Sequence, residues 1–173
     1  MEHAVVPGMT REEKLSQWVA LYSDAILRTC FLYLSDQAQA EDALQDTWIK
    51  AWRYMGEYER KHILNEKAWL MRIAINICKD YRRTAWFRHM DRRRALEELP
   101  AHLMQTNAAD PTLSITVMGL PDKYKQVILL YYYHGLTQRE TAQALGISQS
   151  AVMRRLKNAQ AMLKQSLTGG GEA

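Results

Sequence analysis

The sequence predicts an all-α protein made of two small helical domains joined by a flexible linker. Three observations carry this. Apolar residues recur at helical spacing through most of the 173 residues, with no period-two alternation of the kind a strand shows. Capping patterns punctuate that periodicity, with Thr10 three residues before Glu13 and Thr137 three before Glu140. Between the halves the period fades from about Leu99 to Ile115, a stretch that includes the turn-favouring pair Asp110-Pro111. The domains are expected at residues 10–95 and 116–167, with the linker at 96–115.

The elements follow in order. Met1 to Met9 has no pattern and reads as a loose tail. Thr10 caps a first helix with an apolar stripe of Leu15, Trp18, Val19, Tyr22, Ile26, Leu27, Cys30, Phe31 and Leu34. Asp36 caps a second, whose inward face is Ala40, Leu44, Trp48, Ala51, Trp52 and Met55. Gly56 to Asn65 breaks the period and reads as a loop. Asn65 then caps a third helix, with Trp69, Leu70, Ile73, Ala74, Ile77 and Tyr81 turned inward. Arg72, Asn76, Lys79 and Arg83 are spaced by four, three and four, so they share a separate polar stripe. Pro121 suits the first turn of a helix running to about His134, with Val127, Leu130 and Tyr131 facing inward.

The segment Leu136 to Leu163 has the pattern of a DNA-binding helix-turn-helix. Gly135 ends the preceding helix and Thr137 to Glu140 opens a short one with Thr141, Ala142 and Leu145 inside. Gly146 permits a tight left-handed turn, Ile147 plugs the angle, and Ser148 caps a second helix. Val152, Leu156, Ala159 and Leu163 are that helix's inner stripe. Its outward N-terminal residues Gln149, Ser150, Met153, Arg154 and Lys157 would enter the major groove. Gln149 can pair with adenine, Arg154 with guanine, and Met153 can pack on a thymine methyl. Arg155 and Lys157 suit phosphates.

Charge agrees with a polyanionic partner. The net formal charge is only +4, but it is segregated along the chain. Ser35–Glu59 carries a net of −4, Lys67–Arg94 +7, Ala95–Leu120 −3 and Pro121–Leu167 +5. Two separated basic blocks fit two footprints on one nucleic acid. The stretch Trp86 to Arg94 extends the first of them. Cys30 and Cys78 lie in apolar helical patterns and no CxxC or Cys/His ligand spacing occurs, so no metal or cofactor is expected. No secretory signal pattern occurs, and no apolar run approaches the ~18 residues of a membrane span. A cytoplasmic protein without membrane insertion is therefore expected.

Three blocks resemble one family. Ala40 to Arg53 is an acidic helix, Ala68 to Arg83 a basic one, and Leu120 to Leu163 contains the helix-turn-helix. In that order, with a linker between, they resemble regions two and four of the extracytoplasmic-function (ECF) sigma factors of the bacterial sigma-70 family. The resemblance implies a region-two helical bundle and a region-four helix-turn-helix. It implies a polymerase subunit rather than an enzyme, one that binds core RNA polymerase, directs it to promoters and helps melt the minus-ten element. Glu41, Asp42, Gln45, Asp46 and Lys50 would dock on the beta-prime clamp helices, and region four would meet the beta flap. Tyr58, Arg60, Lys61, Arg72, Asn76, Lys79 and Arg83 would handle the minus-ten DNA. Gly56 to Asn65 matches the family's base-holding loop, with Tyr58 as a stacking platform; Trp69 is assigned to the core. Thr137, Gln149, Ser150, Met153, Arg154 and Lys157 would contact the minus-thirty-five element. An anti-sigma factor is a further partner that the family implies. The chain departs from the family at Asn158 and Gln160, where many relatives carry Arg beside the alanine matching Ala159, and at Met153, where a polar residue is more usual.

Two rival functions use the same residues. A stand-alone helix-turn-helix regulator would be a dimer on a palindromic operator, but no dimerisation helix is evident. A metal-dependent nuclease using Glu41, Asp42 and Asp46 would need carboxylates converging in a cleft, whereas these three lie along one helix edge.

Overall fold

The structure is a computed structural model that describes residues 8–61, 65–83 and 111–169. Its described residues contain helices and no strand. The N-terminal bundle comprises α1 (Arg11–Leu34), α2 (Gln37–Lys61) and α3 (Glu66–Arg82). The C-terminal bundle comprises α4 (Pro111–Met118), α5 (Asp122–Ile128), α6 (Gln138–Leu145) and α7 (Gln149–Gly169). A π-helical turn, Leu129–Tyr133, prolongs α5.

Local chemistry sets the helix starts. The capping boxes at Thr10 and Thr137 form in both directions, side chain to backbone and back. Asp36 accepts from the Gln39 amide, and Asn65 from that of Ala68. Between α1 and α2 the chain turns at Ser35, whose φ of 57° is left-handed. The three N-terminal helices pack on one another around Trp18, Ile26, Phe31, Met55, Leu70 and Ile75, all essentially inaccessible. Val127, Leu129 and Leu130, with Val152 and Ala159, form the C-terminal interior.

Four expectations are corrected. Gly56 does not end α2, which continues to Lys61. An interior glycine costs only ~1 kcal/mol, and three contacts offset it: buried Tyr58, the Lys14–Glu59 pair at 3.4 Å and Lys61–Glu57 at 2.6 Å. Residues 62–64 of the anticipated loop lie outside the described residues. The aperiodic segment was expected to reach Ile115, but α4 starts at Pro111, a residue suited to a first helical turn. The remainder of that linker, with Trp86 to Arg94 and residues 1–7 of the tail, lies outside the described residues. Val19 and Trp52, assigned inward, are exposed. Trp52 instead carries the Arg11 guanidinium over its ring at 4.7 Å. Tyr131 is only half-buried, and Tyr132 is exposed.

The two bundles touch. α3 packs against α6, and α1 against α4. Arg82 pairs with Asp122 at 3.1 Å, and the Asn65 amide donates to Glu140. Lys125 is fully buried, its Nζ donating to the Tyr33 carbonyl at 3.3 Å and lying over the Tyr33 ring. Gln126 donates to the Tyr33 hydroxyl at 3.1 Å, and His134 meets the Thr29 hydroxyl. No helix among the described residues is long and apolar enough to cross a membrane.

Candidate nucleic-acid interface

The helix-turn-helix is built as its residue pattern requires. Gly146 has φ 66° and ψ 34°, and its amide donates into the carbonyls that end α6. A Cβ there would meet nothing within 4 Å, so glycine is needed for its backbone and not for space. The Ile147 amide bonds the Ala142 carbonyl, and Ser148 Oγ accepts from the Ala151 amide. Thr141, Ala142, Ala144, Val152, Leu156 and Ala159 are buried. Gln149, Ser150, Met153, Arg154 and Lys157 are exposed together along the first turns of α7, and Arg155 is half-buried. Thr137 is exposed, but its hydroxyl is engaged by the Glu140 amide. Asn158 is exposed, and the Gln160 amide is tied to the Tyr132 hydroxyl.

In the N-terminal bundle, the end of α2 and the start of α3 frame a pocket of about 490 Å³. Tyr54, Tyr58, Lys61, Trp69, Arg72 and Asn76 line it. Tyr58 is not an open stacking platform. It is 8% exposed, edge-on to Trp18 at 5.6 Å and 4.8 Å from Trp69. Lys14, itself buried, lies over the rings of Trp18 and Tyr58. Burial, helped by the charge of Glu66, pushes the Tyr58 phenol up to about 12, so it remains neutral. Tyr58 therefore forms part of the pocket wall. Trp69 is partly buried against the core and also lines the pocket. Tyr54, 46% exposed, was missed because the break assumed at Gly56 hid its i, i+4 relation to Tyr58.

Basic side chains line the rim of this pocket and continue beyond it. Arg72 and Asn76 are exposed on its rim, Lys79 is half-buried, and Arg83 is exposed 3.5 Å from Asp80. Arg60 is exposed and donates to the Gly56 carbonyl, while Lys61 is held by Glu57. Such exposed pairs are weak, so these cations can exchange a carboxylate for a phosphate.

The acidic edge of α2 divides in two. Glu41, Asp42 and Gln45 are exposed, whereas Asp46 and Lys50 are half-buried. Asp46 accepts a hydrogen bond from Tyr81 of α3, so part of its role is to join the two helices. Burial and that bond push the Tyr81 phenol well above its ordinary value. Ile49 and Trp52 are exposed further along α2 and were not in the predicted set. Among the described residues no group of three His, Cys, Asp or Glu side chains is placed to hold a metal ion.

Two family models match the chain. The Sigma-70 region 2 model matches residues 18–88, and the Sigma-70, region 4 model matches residues 117–165. The ECF RNA polymerase sigma factor SigL of Mycobacterium tuberculosis is 33% identical over 158 residues, covering 86% of this chain and 87% of that protein. The probable RNA polymerase sigma factor RfaY of Xanthomonas campestris is 29% identical over 147 residues; these cover 76% of this chain but 35% of that longer protein. The solved structure of CnrH in complex with the cytosolic domain of CnrY superposes with a TM-score of 0.69 at 26% identity, covering 91% and 90% of the two chains.

Proposed function

The chain belongs to the ECF sigma factors of the sigma-70 family, and from that premise we propose that it binds core RNA polymerase and directs it to promoters by reading two separate DNA elements. The observation that carries this is the pairing, in one chain, of an exposed recognition-helix face with a second basic site around an aromatic-walled pocket. A helix presenting Gln149, Met153 and Arg154 suits duplex DNA. A pocket walled by Tyr54, Tyr58 and Trp69, with Arg72 and Asn76 on its rim, suits an unstacked base and its strand.

Glu41, Asp42 and Gln45 dock on the beta-prime clamp helices, with Lys50 beside them and the exposed Ile49 and Trp52 adding apolar area. Asp46 contributes its remaining acceptor capacity there. Region four meets the beta flap. Arg72, Asn76, Lys79 and Arg83 follow the minus-ten strand, with Arg60 and Lys61 near the end of α2. Gln149, Ser150, Met153, Arg154 and Lys157 read the minus-thirty-five duplex, flanked by Thr137. Binding to polymerase places the work in the cytoplasm. CnrH was solved with the cytosolic domain of CnrY; this chain too is proposed to take a protein partner, an anti-sigma factor.

In vitro transcription with core polymerase on a fragmented genome, with start sites mapped, tests this function. Discrete starts that require the chain are expected, with shared sequence at both upstream positions. Tight binding to a palindromic operator, with no effect on core polymerase, would establish the stand-alone regulator instead.

A further inference from the structure

We propose that the contact between the two bundles is a closed state that cannot read a promoter, and that His134 at its centre makes the closure weaken in acid. The proposal rests on the bipartite function above. Elements centred near minus ten and minus thirty-five are about 25 base pairs apart, or on the order of 85 Å at 3.4 Å per step. In the closed state the Asn65 cap of α3 is hydrogen-bonded to Glu140 of α6, so the minus-ten helix and the helix-turn-helix abut. The recognition helix has 21 residues and is only ~32 Å long. The two DNA sites cannot be occupied together until the bundles part.

His134 follows the π-helical turn and points into the contact. It is 8% exposed, and its Nε2 meets the Thr29 hydroxyl of α1. The charged groups facing it are Lys67 of α3 and Arg28 of α1, both cations, with Asp24 offsetting Arg28. Among the described residues, no carboxylate is among the groups that shift the imidazole. An imidazolium would therefore be buried beside two positive charges. Burial first, then Lys67 and Arg28, lower the imidazole from 6.5 to about 3.

The closed state holds His134 neutral, whereas the open state lets it titrate near 6.5. Closure is thus at full strength above about pH 6.5, weakens as pH falls below that, and stops weakening only near pH 3. Between pH 7.5 and 5.5 the closed-to-open ratio should fall about tenfold, equivalent to about 1.4 kcal/mol. The same contact also holds the Arg82–Asp122 ion pair.

The test is single-molecule energy transfer in the free chain. Dyes are attached through non-natural amino acids at Asp80 and Lys123, neighbours of the Arg82–Asp122 pair. Closed and open populations are counted at pH 7.5 and 5.5, in the unaltered chain and in an Arg82→Ala chain whose weaker contact keeps both states countable. The tenfold fall should appear in the chains carrying His134 and vanish in His134→Gln, whose amide can still meet Thr29 but does not titrate. Thr29→Val, which keeps the imidazole, should retain the pH response from a lower starting ratio. A ratio constant within twofold, an equal fall in His134→Gln, or a chain already open at pH 7.5 would overturn the proposal. Neither polymerase nor DNA enters this measurement, so its failure and a failure of the transcription assay are distinct.

Discussion

At the scale of single residues, exposure and hydrogen bonding separate the side chains that are free to contact a partner from those that also hold the fold. Arg154 is exposed near the N-terminal end of α7. Arg154→Ala should remove one base pair's discrimination, about 1–3 kcal/mol, at the upstream element alone. Transcription from promoters varied at each element checks this; a changed minus-ten preference would contradict it. Lys157→Ala should weaken all sequences alike and lower the salt slope of duplex binding by about one. On α2, Asp42 is exposed while Asp46 accepts from Tyr81. Asp42→Arg should reduce core-polymerase affinity at an unchanged melting temperature. Asp46→Arg should lower both, because it also breaks the link to α3; fluorescence anisotropy with core enzyme and thermal melts distinguish the two.

At the scale of elements, two glycines give opposite expectations. Gly56 is helical, and an added Cβ would meet nothing within 4 Å. Gly56→Ala should stabilise the protein by about 0.5–1 kcal/mol. Gly146 is equally uncrowded but left-handed, at φ 66°. Gly146→Ala should destabilise by about 1–2 kcal/mol. Urea denaturation of both variants reads the two signs. The comparison also tests why α2 passes Gly56: tertiary contacts at Tyr58 and Glu59 outweigh a local propensity that predicts a break.

At the scale of the whole molecule, the polar character of the contact between bundles matters most. Apolar cores associate whatever the pH, whereas Lys125, Gln126, Arg82, Asn65 and His134 each make a directional polar contact across the boundary. Lys125→Ala removes a charge-assisted bond to the Tyr33 carbonyl, an interaction of about 1.5–3 kcal/mol. It should lower the closed-to-open ratio at pH 7.5 by a factor on the order of ten or more, read by the same energy-transfer measurement. An unchanged ratio would assign closure to the apolar part of the contact.

The helix starts, the helix-turn-helix and the polar stripe on α3 were legible in the sequence because each is decided within a turn or two. Thr10 bonds Glu13, Thr137 bonds Glu140, and Gly146 turns on its own backbone freedom. The outward face of α7 followed in the same way, since the buried stripe of Val152, Leu156 and Ala159 leaves Met153, Arg154 and Lys157 outside. Tertiary structure alone decided the rest. Tyr58 became a wall because Trp18, some forty residues earlier, packs against its ring. Asp46 became partly structural because Tyr81 reaches it across 35 residues, and His134 became buried because Thr29 meets it across 105. Helical periodicity identifies a buried face, but only the packing partner determines which polar groups on its border remain free to bind something else.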